Sequence, residues 1–128
     1  MITRYPILDF LSKMTGIYKT VDGDFELELI KNGYNFVLNT KESPTRSQIY
    51  GLIGVVGKNL ELHSSMGLPN ILIFTWPHAL EEISSYQEIL FTENDEKVSV
   101  SFNFEENTLL FKLIIGGQQK VEYFLKKA

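Results

Sequence analysis

In this 128-residue chain, chemistry would have to be built from His63, His78, and the acidic run Asp22, Asp24, Glu26 and Glu28, for there is no cysteine. The absence of cysteine excludes thiol nucleophiles, disulfides and Cys-ligated zinc. Neither histidine has a His-x-x-x-His or paired-carboxylate spacing around it, so no metal centre is predicted. The acids alternate along one segment. Calcium needs roughly six or more oxygens converging from a curled loop, whereas a strand spreads same-face residues about 6–7 Å apart. They read as a solvated outer face. Ser64-Ser65 and Ser84-Ser85 lack the Gly-x-Ser-x-Gly setting of a nucleophile elbow. The chain reads more as a binding protein than as an enzyme, with no catalytic residue and no cofactor assigned.

The elements that must position any site are short and alternate with a period of two. Turn signals at Asp22-Gly23, Asn32-Gly33, Gly57-Lys58, Asn94-Asp95, Glu106-Asn107 and Gly116-Gly117 separate them. This is the pattern of consecutive antiparallel strands joined by hairpins. Strands are expected at 16–21, 24–31, 34–40, 47–56, 59–65, 70–76, 86–92, 97–104, 109–115 and 119–126. Ile7, Leu8, Leu11 and Met14 have helical spacing, with Pro6 suited to a first turn and Gly16 to a stop, so 5–14 is expected as a helix. A short helical piece or a turn is expected at 78–85. A meander this long cannot leave both edges bare, so the sheet should close around an interior. The fold class is therefore all-β: one domain, an up-and-down antiparallel meander of about 8–10 strands with a short N-terminal helix.

Cross-strand pairing decides which residues face inward, because opposed residues share a face. A turn at Asp22-Gly23 sets Tyr18 and Thr20 against Leu27 and Phe25, leaving Lys19 opposite Glu26 outside. A two-residue turn at Asn32-Gly33 sets Leu29 against Phe36 and Leu27 against Leu38. At Glu106-Asn107, Phe104 meets Leu109, Phe102 meets Phe111 and Val100 meets Leu113. The last hairpin matches apolar with apolar only through a three-residue loop, Gly116 to Gln118, which places Leu113 opposite Val121 and Phe111 opposite Tyr123. Around Asn94-Asp95 two registers remain. One puts Ile89 and Phe91 inside, the other Tyr86, Glu88 and Leu90. In the second, a carboxylate enters an apolar interior and becomes a candidate acid, base or ligand anchor.

With Leu60 and Leu62 inward, His63 points to solvent. His78, after Trp76-Pro77, either opens the 78–85 piece or touches a ligand at the rim. Outward-facing Leu110, Ile114 and Phe124 fall close together and need cover, from the N-terminal helix or from a subunit or protein partner.

The net charge of −4 and pI near 5.2 argue against a nucleic-acid partner, since the basic residues are scattered and only Arg4 and Arg46 are arginines. No basic amphipathic stretch points to a membrane surface. Pro6 and Asp9 interrupt Met1 to Met14 where a signal peptide would be apolar, so a cytoplasmic location is expected.

Thr15-Gly16-Ile17-Tyr18, following the helix, resembles the opening of the lipocalin/calycin superfamily, where a short helix leads into a Gly-x-Trp at the first strand. Gly16 matches, and Tyr18 stands where that family has Trp. The resemblance implies a closed up-and-down barrel with a basic residue of the last strand beside Tyr18, here Lys126 or Lys127 in place of the family's Arg. It also implies a small, mostly apolar ligand in the cavity, lined here by Tyr18, Tyr34, Phe36, Trp76, Glu88, Phe102, Phe111 and Tyr123. With no arginine in an expected strand, that ligand should be neutral or bind through tyrosine hydroxyls. The alternative is a protein-binding module, of inhibitor or immunity type, acting through the 41–46 loop or the outer apolar face.

Overall fold

The structure, a computed structural model, describes residues 5–42, 48–65, 70–83, 87–93 and 97–128, without the side chains of Gln48 and Lys120. The Asn94-Asp95 turn, Tyr86, Ser84-Ser85, Arg4, Arg46 and most of the 41–46 loop lie outside these residues. One helix, α1 (Pro6–Met14), precedes ten strands: β1 (Gly16–Lys19), β2 (Phe25–Asn32), β3 (Asn35–Glu42), β4 (Gln48–Val56), β5 (Asn59–Ser64), β6 (Leu72–Trp76), β7 (Gln87–Glu93), β8 (Val98–Glu105), β9 (Thr108–Ile115) and β10 (Gln118–Lys127). Each strand pairs antiparallel with its sequence neighbours, and β1 pairs with β10 to close the barrel. No described helix is long and apolar enough to cross a membrane.

Antiparallel order sorts the connections onto two rims. One rim carries the β2–β3, β4–β5, β6–β7 and β8–β9 connections together with α1 and the end of β10. The other carries the β1–β2 and β9–β10 turns. Between them the inner rows are apolar, and aromatic rings mesh across the middle. Phe102 lies 5.4 Å from Phe111 and 6.2 Å from Phe104, and Phe25 stacks on Phe111 at 5.5 Å. Each such ring pair adds roughly 0.5–1.5 kcal/mol beyond the area it buries.

The expected pairings hold at three hairpins and shift at one. Tyr18 faces Leu27 and Lys19 faces Glu26, with a 3.5 Å ion pair between the latter two. Phe104 faces Leu109, Phe102 faces Phe111, and Val100 faces Leu113. In the last hairpin Leu113 faces Val121 and Phe111 faces Tyr123, as apolar matching requires. The extra residue sits elsewhere than expected, however. Gly116-Gly117 forms a two-residue turn with both φ values positive (61° and 78°), and a bulge between Gln119 and Val121 restores the register. At the second hairpin the turn is Gly33-Tyr34, with Asn32 opposite Asn35, so Leu29 meets Leu38 and Lys31 meets Phe36. Gly33 takes the positive φ of 65° that a tight turn needs at its first position. A two-residue slip keeps the strand side chains on their expected faces, puts Tyr34 in the turn, and leaves Lys31 and Glu42 at the two ends of the inner rows. Residues 78–83 form no helix. They hold a single turn, closed by the Glu81 amide on the His78 carbonyl at 3.1 Å.

Pro6 starts α1 where its missing N–H is no loss, Asp9 lies in the first turn and Lys13 in the last, and both charges suit the helix dipole. Ile7, Phe10, Leu11 and Met14 form its buried stripe. That stripe faces the barrel end, not the outer wall. Phe10 packs edge-on against Phe104 at 6.0 Å, and Leu11 reaches Leu38, Ile53 and Phe91 inside the barrel. Leu110, Ile114 and Phe124 therefore get no cover from α1, and Phe124 remains 54% exposed.

Gly16 is the hinge between helix and barrel. Its φ of 143° suits only glycine, and a Cβ there would sit 2.8 Å from the Lys127 side chain. Lys127 pairs with Tyr18 and reaches the Lys13 carbonyl at 3.4 Å, whereas Lys126 lies opposite Lys19. The Tyr18 hydroxyl donates a 2.6 Å bond to the Met14 carbonyl, one of the orphan acceptors at the helix end. Burial pushes Tyr18 up to about 12. Folded Tyr18 thus holds its proton more tightly than an unfolded tyrosine near 10.0, and its contribution to stability is whole below that pH and fades as the pH climbs toward 12. Tyr18→Phe should cost about 0.5–1.5 kcal/mol in urea unfolding at neutral pH. It should also make the loss of stability at high pH shallower; an unaltered alkaline profile would show that the buried phenol does not contribute to it.

Candidate functional site

The inner rows bring most of the expected cavity residues together as a core. Tyr18, Phe36, Trp76, Phe102 and Phe111 are buried, and Tyr123 is half-buried. Where Leu11 meets Ile89, Phe91 and Phe102, the remaining void is only about 10 Å³. That is about the least that holds a single water. Around this void the aromatic residues fill the space between the helix end and the strands.

Two of the expected lining residues stand outside the barrel. Tyr34 is 87% exposed, because it is the second residue of the β2–β3 turn and not part of β3. Glu88 is exposed because Ile89 and Phe91 take the inner positions, facing Phe102 and Val100. The apolar alternative wins since it avoids desolvating a carboxylate. Glu88 instead accepts a long 3.5 Å bond from Ser101 on the outer face.

Polar chemistry concentrates at the rims. At the rim opposite α1, Tyr123 stacks on Phe25 at 4.2 Å and donates to Glu42 at 3.0 Å. Burial raises the Tyr123 phenol above its ordinary range, and the Glu42 hydrogen bond adds to that. Nearby in the β1–β2 turn, the Asp24 amide and the Thr20 hydroxyl hold the Asp22 carboxyl below the usual range. Asp22 is thus a turn residue. Among the described residues no three His, Asp or Glu side chains converge as metal ligands would. His63 lies outward against Glu61 at 2.8 Å.

His78 and Glu88 both line an outer groove of about 520 Å³ beside Trp76. His78 is already paired with Glu81, and Glu81, Glu82 and Glu88 make this groove acidic. It has Trp76, Ile83 and Leu90 as apolar wall, and no Ser, Thr, Cys or Lys among its described lining residues.

The larger opening, about 700 Å³, lies at the α1 rim between the helix and the β2–β3 hairpin. One wall is a second stripe of the helix: Tyr5, Leu8, Asp9 and Ser12, spaced at three and four residues and turned away from the buried stripe. The other wall is Lys31, the Gly33-Tyr34 turn and Asn35, and Phe36 and Val55 form the floor. Ser12 spends its hydroxyl proton on the Leu8 carbonyl at 2.9 Å, leaving oxygen lone pairs available toward the groove. The residue pattern carried a partial sign of this site. Lys31 continues the inner row Phe25, Leu27, Leu29, and a cation at the end of an apolar row marks the row's exit from the core. Leu8 shares its helical spacing with Ile7, Leu11 and Met14, and the i, i+3, i+4 pattern does not separate two adjacent apolar faces.

Leu11→Ala should cost about 2–5 kcal/mol in urea unfolding. It should also open an apolar cavity that takes up xenon, seen as shifts of the Ile89 and Ile53 methyl resonances. A loss well below that range with no xenon uptake would mean that α1 does not fill the barrel.

The closed ten-stranded antiparallel barrel agrees with a calycin-like architecture at a coarse level. Compared with protein-family models, curated proteins and solved structures, the chain matches none.

Proposed function

We propose that this protein is a non-catalytic binder of a small, mostly apolar ligand, and that the ligand sits in the α1/β2–β3 groove instead of the barrel interior. The observation that carries the reading is the contrast of volumes: about 700 Å³ in the groove against about 10 Å³ beneath Leu11. Small-molecule sites commonly measure about 300–1,000 Å³, with an apolar lining and a few polar groups. Leu8, Phe36 and Val55 supply the apolar part, Tyr5 and Tyr34 the flanking rings. The packed core gives the floor rigidity, which lowers the ordering cost of binding.

Titration with 2-naphthylmethanol, followed through backbone amide shifts, tests the location. Shifts should centre on Leu8, Gly33, Tyr34 and Val55, and Tyr34→Ala should weaken binding by about 3–10-fold without altering the melting temperature. Shifts centred on Leu38, Phe91 and Phe102 would return the ligand to the interior and refute the groove.

A protein-binding role is the second reading, and the outer wall favours it. Ile30, Val37, Leu52, His63 and Ile73 follow one another in register across β2 to β6, with Ile30, Leu52 and Ile73 over 40% exposed. On the far side Phe124 lies opposite Leu110 as a second, smaller apolar patch, while Ile114 faces Gln119 beyond the Lys112–Glu122 pair and does not join it. Native mass spectrometry distinguishes these surfaces. A dimer or a bound chain that disappears in Phe124→Ser or Leu52→Ser identifies the interface. A monomer in the parent and both variants removes this reading.

A further inference from the structure

Taking the groove as the ligand site, its charges define the class of molecule that it accepts. We infer that the groove takes a small amphipathic monoanion, with its carboxylate on the Lys31 ammonium and its apolar body across Leu8, Phe36 and Val55.

Lys31 is unlike the other exposed lysines. It pairs with Phe36, which is 1% exposed, and stands two residues from Leu29, which is 2% exposed, so it belongs to the inner row of β2. Its ammonium therefore projects at the rim over an apolar floor, not from the outer wall. Lys19, by contrast, lies on the outer face and is paired with Glu26. Among the described residues Lys31 has no hydrogen-bond or ion-pair partner. The groove's carboxylate, Asp9, already carries an interaction of its own. The charge left to a ligand is positive.

Ligand charge and number follow from this arrangement. A lone ammonium beside apolar surface favours a single carboxylate, since a charge-assisted bond strengthens where water is partly displaced. A second negative charge would face Asp9 across the groove, and among the described lining residues Lys31 is the one cation. A fully neutral ligand would bury apolar surface equally well but leave Lys31 partly desolvated and unpaired, at a cost. The lack of arginine in the strands favours a ligand that is neutral or bound through tyrosine hydroxyls; a lysine at the end of an inner row adds a single carboxylate to those choices.

Three probes with one ring system separate the class from the site: naphthalene-2-carboxylate, 2-naphthylmethanol and 2-naphthylmethylammonium. At low salt the carboxylate should bind about tenfold more tightly than the alcohol, and the ammonium more weakly than either. Lys31→Met, which keeps the length of the stem, should bring the carboxylate and alcohol to equal affinity, whereas Lys31→Arg should keep the preference. Because Lys31 is exposed, both variants should fold, and the amide spectrum verifies that. Equal affinities in the parent, a preference for the ammonium, or a carboxylate preference that survives Lys31→Met would overturn the ligand class while leaving the groove in place. Failure of all three probes to shift the Leu8, Gly33 and Val55 amides would overturn the groove reading with it.

Discussion

Ring closure rests on a narrow seam: Tyr18 opposite Lys127 and Lys19 opposite Lys126, extended by the Ala128 amide on the Ile17 carbonyl at 2.8 Å. That seam leaves no free sheet edge, and it converts one face of ten strands into an enclosed volume. An enclosed apolar volume gains stability as side chains or a ligand fill it. Here Phe36, Phe74, Phe91, Phe102 and Phe111 fill it from the strands, and α1 supplies Leu11 from the end. The helix can reach because Gly16 turns the chain over the rim at a φ of 143°. Tyr18 then serves both requirements: its ring fills the interior and its hydroxyl ties down the helix end.

With Leu11 packed into the barrel end, the proposed ligand site falls at the boundary between helix and barrel. The face of α1 that enters the barrel is fully used, so the adjoining stripe of Tyr5, Leu8 and Ser12 is left to line the groove beside it. The β2–β3 hairpin forms the opposite wall because its turn falls at Gly33-Tyr34, one residue later than the Asn-Gly pair suggests. That single shift places Lys31 opposite Phe36 and Tyr34 at the tip. A small change in turn geometry therefore sets the chemistry of the site.

Much of the fold was legible in the residues, since alternation and paired faces are a strong signal where one side of a sheet is buried. All ten strands and α1 lie within a few residues of their expected bounds. The pairings of Phe102 with Phe111 and Phe111 with Tyr123 were read from apolar matching alone. The bulge at Lys120 was not, because matching fixes which residues face one another but not whether the spare residue sits in the loop or in the strand. Glu88 had two registers until burial of Ile89 and Phe91 separated them. The site was less legible than the fold. Aromatic residues on an inner row look alike whether they line a cavity or fill it, and only the position of α1 decides. The groove unites a helix face with a hairpin tip more than twenty positions away, and no local spacing records that contact.

The location of a bound ligand bears most directly on this account. An isotope-filtered NOE spectrum of the protein with naphthalene-2-carboxylate reports it, since ring protons see only side chains within about 5–6 Å, the range of ring contacts in a packed site. Contacts to the Leu8 and Val55 methyls and to the Tyr34 ring are predicted. Contacts to the Leu38, Ile53 and Ile89 methyls would place the ligand inside the barrel and contradict the claim that side chains have filled it.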